Sequence, residues 1–260
     1  MIPLPAPPKV VKKEGSKAIF EFDGLYPGYG VTVGNALRRV LLSSLEGAAA
    51  TQVKIKNVPH EFSTLPGIME DVISLMLNLK ALRFKIFSDE PQKVTLKIKG
   101  EKEVKGSDFE IPSQLELVNP TCHIASLTDK SAELEMEILI ERGIGYSPRD
   151  TRKKQEKLEI GVIPMDAIFT PVRRVSFRVE NIRVGERTDF DRLLLDVETD
   201  GTISPEAAFT KSAEILVQHF SLASGAFVPA EEKPAETVSA KKPAKKKKKS
   251  AKNPVAKKKK

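Results

Sequence analysis

The 260-residue sequence is long enough for one large domain or two ordinary ones, and it can bury a proper core. Its net charge of +8 is uneven: residues 231–260 hold 13 lysines and three glutamates, leaving 30 basic and 32 acidic residues in 1–230, a nearly neutral body. The single cysteine, Cys122, excludes an internal disulfide framework, no apolar run can span a bilayer, and the proline-broken start lacks a signal-peptide core, which together predict a soluble, cytoplasmic chain.

In chain order, KAIFEF (17–22) alternates with Ala18, Phe20 and Phe22 on one face, and predicts a strand. GYGVTVGNALRRVLLSSL (28–45) then reads as a glycine-rich loop entering a helix over roughly 33–45. A nucleotide loop of the Walker type needs lysine and a hydroxyl after its last glycine, and here Asn35 and Ala36 follow Gly34. The dinucleotide fingerprint fails too, because Gly28, Gly30 and Gly34 are spaced one residue too far. On a helical wheel Val33, Ala36, Leu37, Val40, Leu41 and Leu45 form the apolar side, with Asn35, Arg38, Arg39 and Ser43 opposite. Leu42 falls between the arginines. An apolar residue ringed by guanidinium forks suits a protein interface, and a plain solvated face reads equally well from the residues alone.

GIMEDVISLMLNLKAL (67–82) places Ile68, Val72, Leu75, Met76, Leu79 and Leu82 at helical spacing. Strands follow at KVTLKIKG (93–100), LEMEILIERG (134–143), RRVSFRVE (173–180) and LLLDVET (193–199), each with apolar residues on alternate positions. The last helix opens with Ser204 as cap, Pro205 in the first position and Glu206 in the first turn. It carries Phe209, Ala213, Leu216 and Phe220 along one stripe, with Gly225 as its stop. Strands mixed with a few helices, without strict alternation, predict an α+β fold.

Candidate catalytic groups do not assemble. Cys122 and His123 are adjacent, but no second cysteine exists and His60 and His219 are isolated, so zinc-ligand spacing is missing. A small buried cysteine beside a surface histidine is the better reading than a nucleophile pair. Asp189 and Asp191 stand two apart as magnesium carboxylates often do, yet Arg187 and Arg192 flank them, and surface ion pairing explains both acids. The final EEKPAETVSAKKPAKKKKKSAKNPVAKKKK cannot bury enough to order itself. Such an arm attracts phosphate backbones without sequence preference, or serves only as a solubilising spacer.

The segment 28–45 resembles the signature of the alpha subunit of bacterial DNA-directed RNA polymerase. HEFSTLPGIMEDVISLMLNLKAL (60–82), RGIGYSP (142–148) and FTPVRRVSFRVENIRVGERTDFDRLLLDVETDGTISPEAA (169–208) follow in that family's order, so the resemblance covers roughly 15–228. It implies a discontinuous dimerisation domain over about 1–46 and 172–228, an inserted, mostly β domain over about 47–171, and a disordered tail over 229–260. It also implies a homodimer built through the first and last helices, with Leu37, Val40, Leu41, Phe209, Ala213, Leu216 and Phe220 as dimerisation residues. The beta subunit would meet Arg38, Arg39, Leu42 and Lys80; Arg187 and Asp189 would face the large subunits on the beta-prime side. Catalytic magnesium is expected in beta-prime, and this chain is expected to bind no cofactor and to carry no catalytic residue. Family members usually continue into a small helical domain that docks activators and upstream DNA; here only the lysine-rich segment follows, which leaves open whether that role is lost or supplied elsewhere. A free-standing basic nucleic-acid-binding protein acting through its tail is the alternative, and the near-neutral body favours the scaffold.

Overall fold

A computed structural model of the chain describes residues 2–150 and 161–225; the lysine-rich tail predicted to be disordered lies outside them. The fold is α+β, with mainly antiparallel sheets. A four-stranded sheet has the order β1 (Lys9–Glu14), β2 (Lys17–Leu25), β14 (Arg187–Thr199), β13 (Val172–Val184). It thus joins the two ends of the body. A larger sheet orders β5 (Gln92–Lys99), β9 (Glu133–Ile144), β3 (Glu46–Ile55), β4 (Phe84–Ile86) and β7 (Leu115–Leu117), with β11 (Val162–Pro164) also paired to β3. Two small ribbons pair β6 (Lys102–Lys105) with β8 (His123–Leu127), and β10 (Tyr146–Ser147) with β12 (Ala167–Ile168). The helices are α1 (Tyr29–Ser43), α2 (Val72–Ala81) and α3 (Pro205–Gly225). None is long and apolar enough to cross a membrane, among the described residues.

Period-two alternation places the predicted residues inside. Ala18, Phe20 and Phe22 on β2, Val94 and Leu96 on β5, Leu134 to Ile140 on alternate positions of β9, and Leu193, Leu195 and Val197 on β14 are all buried. Two large, separate hydrophobic clusters result. The first runs from Ala50 to Met165 and includes Val72, Leu75, Met76 and Leu79 of α2. The second gathers the ends of the body, from Ala18 to Leu45 and from Val172 to Ala208. Alternation is absent where it failed to signal a strand: all six residues of β1 are exposed, and β3 runs from Glu46 through a glycine and three alanines.

The helix over 28–45 needs a correction. It begins at Tyr29, four residues earlier than spacing predicted, so Gly30 is helical rather than part of a loop and Gly34 lies well inside the helix rather than at its start. Their role is close approach to the sheet. A Cβ on Gly34 would stand 2.7 Å from Phe177 and 2.8 Å from Leu193; one on Gly30 would stand 2.8 Å from Val179 and 3.0 Å from the Asp191 carboxylate. Glycine costs a helix about 1 kcal/mol relative to alanine. Forcing a methyl into so tight a contact costs about 1–3 kcal/mol, so packing against the sheet overrides propensity.

Asp191 completes the seat. Its side chain was read as a surface ion-pair partner, yet the residue is only 6% exposed. One carboxylate oxygen, Oδ2, accepts the N–H of Gly28 at 2.9 Å and of Gly30 at 3.0 Å. A remote acid on β14 thus satisfies the free amides at the start of α1, where the helix dipole also favours negative charge. Gly28 takes φ +84°, the left-handed entry that lets the chain turn from β2 into the helix.

α2, by contrast, starts later than spacing predicted, at Val72, because Asp71 accepts the Ser74 amide at 2.8 Å and caps it there; Ile68 lies outside. α3 begins as expected, with the Ser204 hydroxyl accepting the Ala207 amide at 3.2 Å, and the described helix extends to Gly225. Replacing Asp191 with alanine should lower unfolding free energy by about 2 kcal/mol, because a buried charge-assisted contact to two amides is lost. Chemical denaturation measures this, and Asp191→Asn, which keeps one acceptor oxygen, should fall between.

Candidate partner-binding surfaces

Seating α1 on its glycines decides what the helix presents. Gly30, Gly34, Leu37, Leu41 and the following Leu45 face the second cluster, while Arg38 and Arg39 are exposed. Neither guanidinium has a carboxylate partner among the described residues. The wheel is rotated from the sequence reading. Leu42 and Val40 lie roughly 90–110° from the buried stripe on opposite flanks, given 100° per residue. Leu42 is therefore half-buried against the second cluster rather than central in the polar face, and its carbonyl accepts the Thr170 hydroxyl at 3.3 Å. Val40 is half-buried and outside that cluster. Leu37 and Leu41, at 4% and 0% exposure, sit in the chain's own core and have almost no surface to offer a second copy.

Along α3 the predicted stripe divides. Phe209 stacks on Phe20 with ring centroids 4.8 Å apart, and Ala213 and Leu216 are half-buried against the same cluster. Farther along, Val217 and Phe220 are 63% and 66% exposed, an apolar surface with nothing of the second cluster behind it. Beside this helix lies a cleft of about 570 Å³, lined by Ser43, Glu46, Ile144, Ile215, Gln218 and His219 among others.

Lys80, at the end of α2, is less available than its sequence position suggested. Its ammonium lies 3.0 Å from Asp166, whose other oxygen accepts the Arg149 amide at 3.0 Å. That amide, aided by the Lys80 ammonium and against partial burial, holds the Asp166 carboxyl below its ordinary value. Arg187 and Asp189 pair with each other at 2.6 Å, and the guanidinium lies 5.3 Å from the Phe190 ring and 5.8 Å from that of Tyr26. Asp191, two residues on, faces α1 instead, so the two acids do not converge.

The remaining candidates serve structure. Both imidazole nitrogens of His123 face carboxylates, Nε2 toward Glu70 at 2.8 Å and Nδ1 toward Glu103 at 3.3 Å, so the ring does not activate Cys122. Cys122 is half-buried rather than buried, and its thiol points to the His123 carbonyl. Among the described residues, no group of three or more His, Cys, Asp or Glu side chains gathers as a metal site would need. A cavity of about 980 Å³ is lined partly by lysines and glutamates on and beside the larger sheet, such as Lys56, Lys97 and Glu135, that pair with one another.

Comparison with known proteins agrees with this geometry in extent. Residues 53–170, essentially the segment holding the first cluster, match the RNA polymerase Rpb3/RpoA insert domain. The DNA-directed RNA polymerase subunit alpha of Roseiflexus castenholzii is 51% identical over 200 residues, 77% of this chain and 61% of that protein. The subunits of the same name from Symbiobacterium thermophilum and Oceanobacillus iheyensis are each 47% identical, over 82% and 78% of this chain and 67% and 64% of theirs. The chain therefore spans about six tenths of the length of the first of these relatives. Such identity over most of the body leaves no doubt of kinship: the chain belongs to the DNA-directed RNA polymerase subunit alpha family.

Proposed function

We propose that the chain acts as the alpha subunit of a DNA-directed RNA polymerase, a non-catalytic part that pairs with a second copy and holds the beta and beta-prime subunits for transcription of DNA into RNA. The observation that carries this reading is α1, whose inner face is fixed to the sheet while the Arg38 and Arg39 guanidiniums stand outward with no carboxylate partner among the described residues. On this reading residues 1–46 and 172–228 form the dimerisation domain and 47–171 the inserted domain. The enzyme's magnesium is held in beta-prime, and the assembly works in the cytoplasm.

The exposed Val217 and Phe220 of α3 and the cleft beside them are the surface assigned to the second copy. Burying them in a dimer returns the hydrophobic free energy that a lone chain forgoes. Phe209, Ala213 and Leu216 set the angle of α3 from within. Arg38, Arg39 and Leu42 are assigned to beta, with Leu42 half-buried at the rim and the two guanidinium forks offering directed donors to acidic groups. Lys80 joins them only by exchanging Asp166 for a partner's acid. Arg187 and Asp189 face the beta-prime side as a neutralised pair on an aromatic base. A second reading has one observation behind it, the net charge of +10 over residues 231–260: the tail adds salt-sensitive, non-specific attraction to DNA.

Arg39→Ala should leave the dimer intact while weakening capture of purified beta about tenfold or more. Phe220→Asp should yield a monomer by sedimentation while retaining its folded circular dichroism; a dimeric Phe220→Asp or unimpaired Arg39→Ala would overturn the assignment of faces. For Asp166 the sign of the pH effect is fixed, because its carboxyl lies below the ordinary value. The stability it contributes is complete above the unfolded value of about 4 and is lost as pH falls through the lower native value. Unfolding stability between pH 5 and 2 should therefore fall more steeply in the native chain than in Asp166→Asn. Deleting 229–260 should flatten the salt dependence of DNA binding by the assembled polymerase; an unchanged slope removes the tail from the account.

A further inference from the structure

One buried polar contact stands at the boundary of the two hydrophobic clusters and belongs to neither the α1 seat nor the partner surfaces. Arg83 stands just past Leu82, the residue that caps the end of α2. Its Nη1 donates to the carbonyls of Lys80 at 2.9 Å and Leu82 at 3.1 Å, so the guanidinium closes the C-terminal end of the helix, where the dipole leaves partial negative charge. Its Nε lies 3.5 Å from Oδ2 of Asp200, with the two side chains only 22% and 5% exposed. The Arg83 backbone is held as well: its amide donates to Asn119 Oδ1 at 2.8 Å and its carbonyl accepts the Val118 amide at 2.9 Å.

Asp200 belongs to the other side of that boundary, in the turn from β14 to α3. Its carboxylate accepts the amide and the hydroxyl of Thr202 at 2.9 and 2.6 Å, and its own amide donates to the Pro171 carbonyl at 2.9 Å. Gly201, next to it, takes φ +96°, and a Cβ there would stand 3.0 Å from the Val118 side chain. The turn that launches α3 is thus pressed against the segment that follows α2.

We propose that Arg83 and Asp200 are positioning residues that fix the end of α2, carrying Lys80, to the turn that starts α3, so that the surface facing a large subunit and the helix that pairs two copies move as one body. The inference rests on the partner reading given above and adds regulation to it. Only a planar fork can reach helix carbonyls with one nitrogen and a carboxylate with another, which a lysine ammonium does not reproduce. Removing either partner strands a buried charge. A consequence is reciprocal coupling: engaging beta at α2 restrains α3 and tightens self-association, and self-association tightens engagement of beta by the same factor.

The test measures the dimer dissociation constant of the full chain with and without saturating purified beta subunit from the same organism. The native chain should dimerise roughly fivefold or more tightly when beta is bound. In Arg83→Met and Asp200→Asn that factor should fall to one, in the double variant it should fall no further, and Arg83→Lys should keep part of it. A factor that survives in these variants, or that is absent from the native chain, overturns the proposal. Hydrogen exchange on the same chains without beta separates this result from the partner reading and guards against unfolding. Either single variant should raise exchange at both 79–83 and 199–205 while leaving β9 protected. Exchange confined to the mutated side overturns the bridge even if beta binds, whereas failure of beta to bind the native chain refutes the partner reading alone.

Discussion

The contact on which the rest depends is the meeting of α1 with β13 and β14. Two glycines bring the helix backbone onto Phe177, Val179 and Leu193, and one buried carboxylate from β14 takes the amides at its start. A helix held at ordinary distance by side chains could rock or slide by a residue. Here Gly30, Gly34 and Asp191 fix both its rotation and its axial position, because any other register would drive a side chain into the sheet. The outward direction of Arg38 and Arg39 follows from that seat rather than from anything on the outer face itself.

Among the described residues, many charged groups pair with one another: Lys56, Lys97 and Lys99 with Glu133 and Glu135, Arg192 with Asp23, Arg187 with Asp189, Lys80 with Asp166. Exposed ion pairs of this kind add little stability singly and keep a nearly neutral body soluble. Against that background the outward arginines of α1 and the exposed Val217 and Phe220 of α3 are the surfaces that the proposed scaffold reading assigns to partners.

Much of this was legible in the sequence because burial on strands follows a period of two, and a residue on the wrong face is costly. β2, β5, β9 and β14 could be read with their inward residues, and Ser204 and Pro205 marked the start of α3. What escaped notice depended on contacts across long chain separations. Gly30 read as a loop, and the packing role of Gly34 went unseen, because the sheet they touch comes from residues 177–193 and nothing local announces it. Asp191 read as a surface acid for the same reason: its two amide partners lie more than 160 positions away. β1 and the start of β3 had no apolar alternation to reveal them. Among candidate site residues, the exposure of Arg38 and Arg39 and the inward position of Leu37 and Leu41 were legible from the wheel, while the pairing of Lys80 with Asp166 was not.

The most direct test of the proposed scaffold is the composition of the assembly recovered with this chain, determined by native mass spectrometry of the tagged chain isolated from its host at high salt. The account predicts two copies of the chain with one copy each of two much larger, different subunits. A lone chain, or one recovered only with nucleic acid, would contradict it.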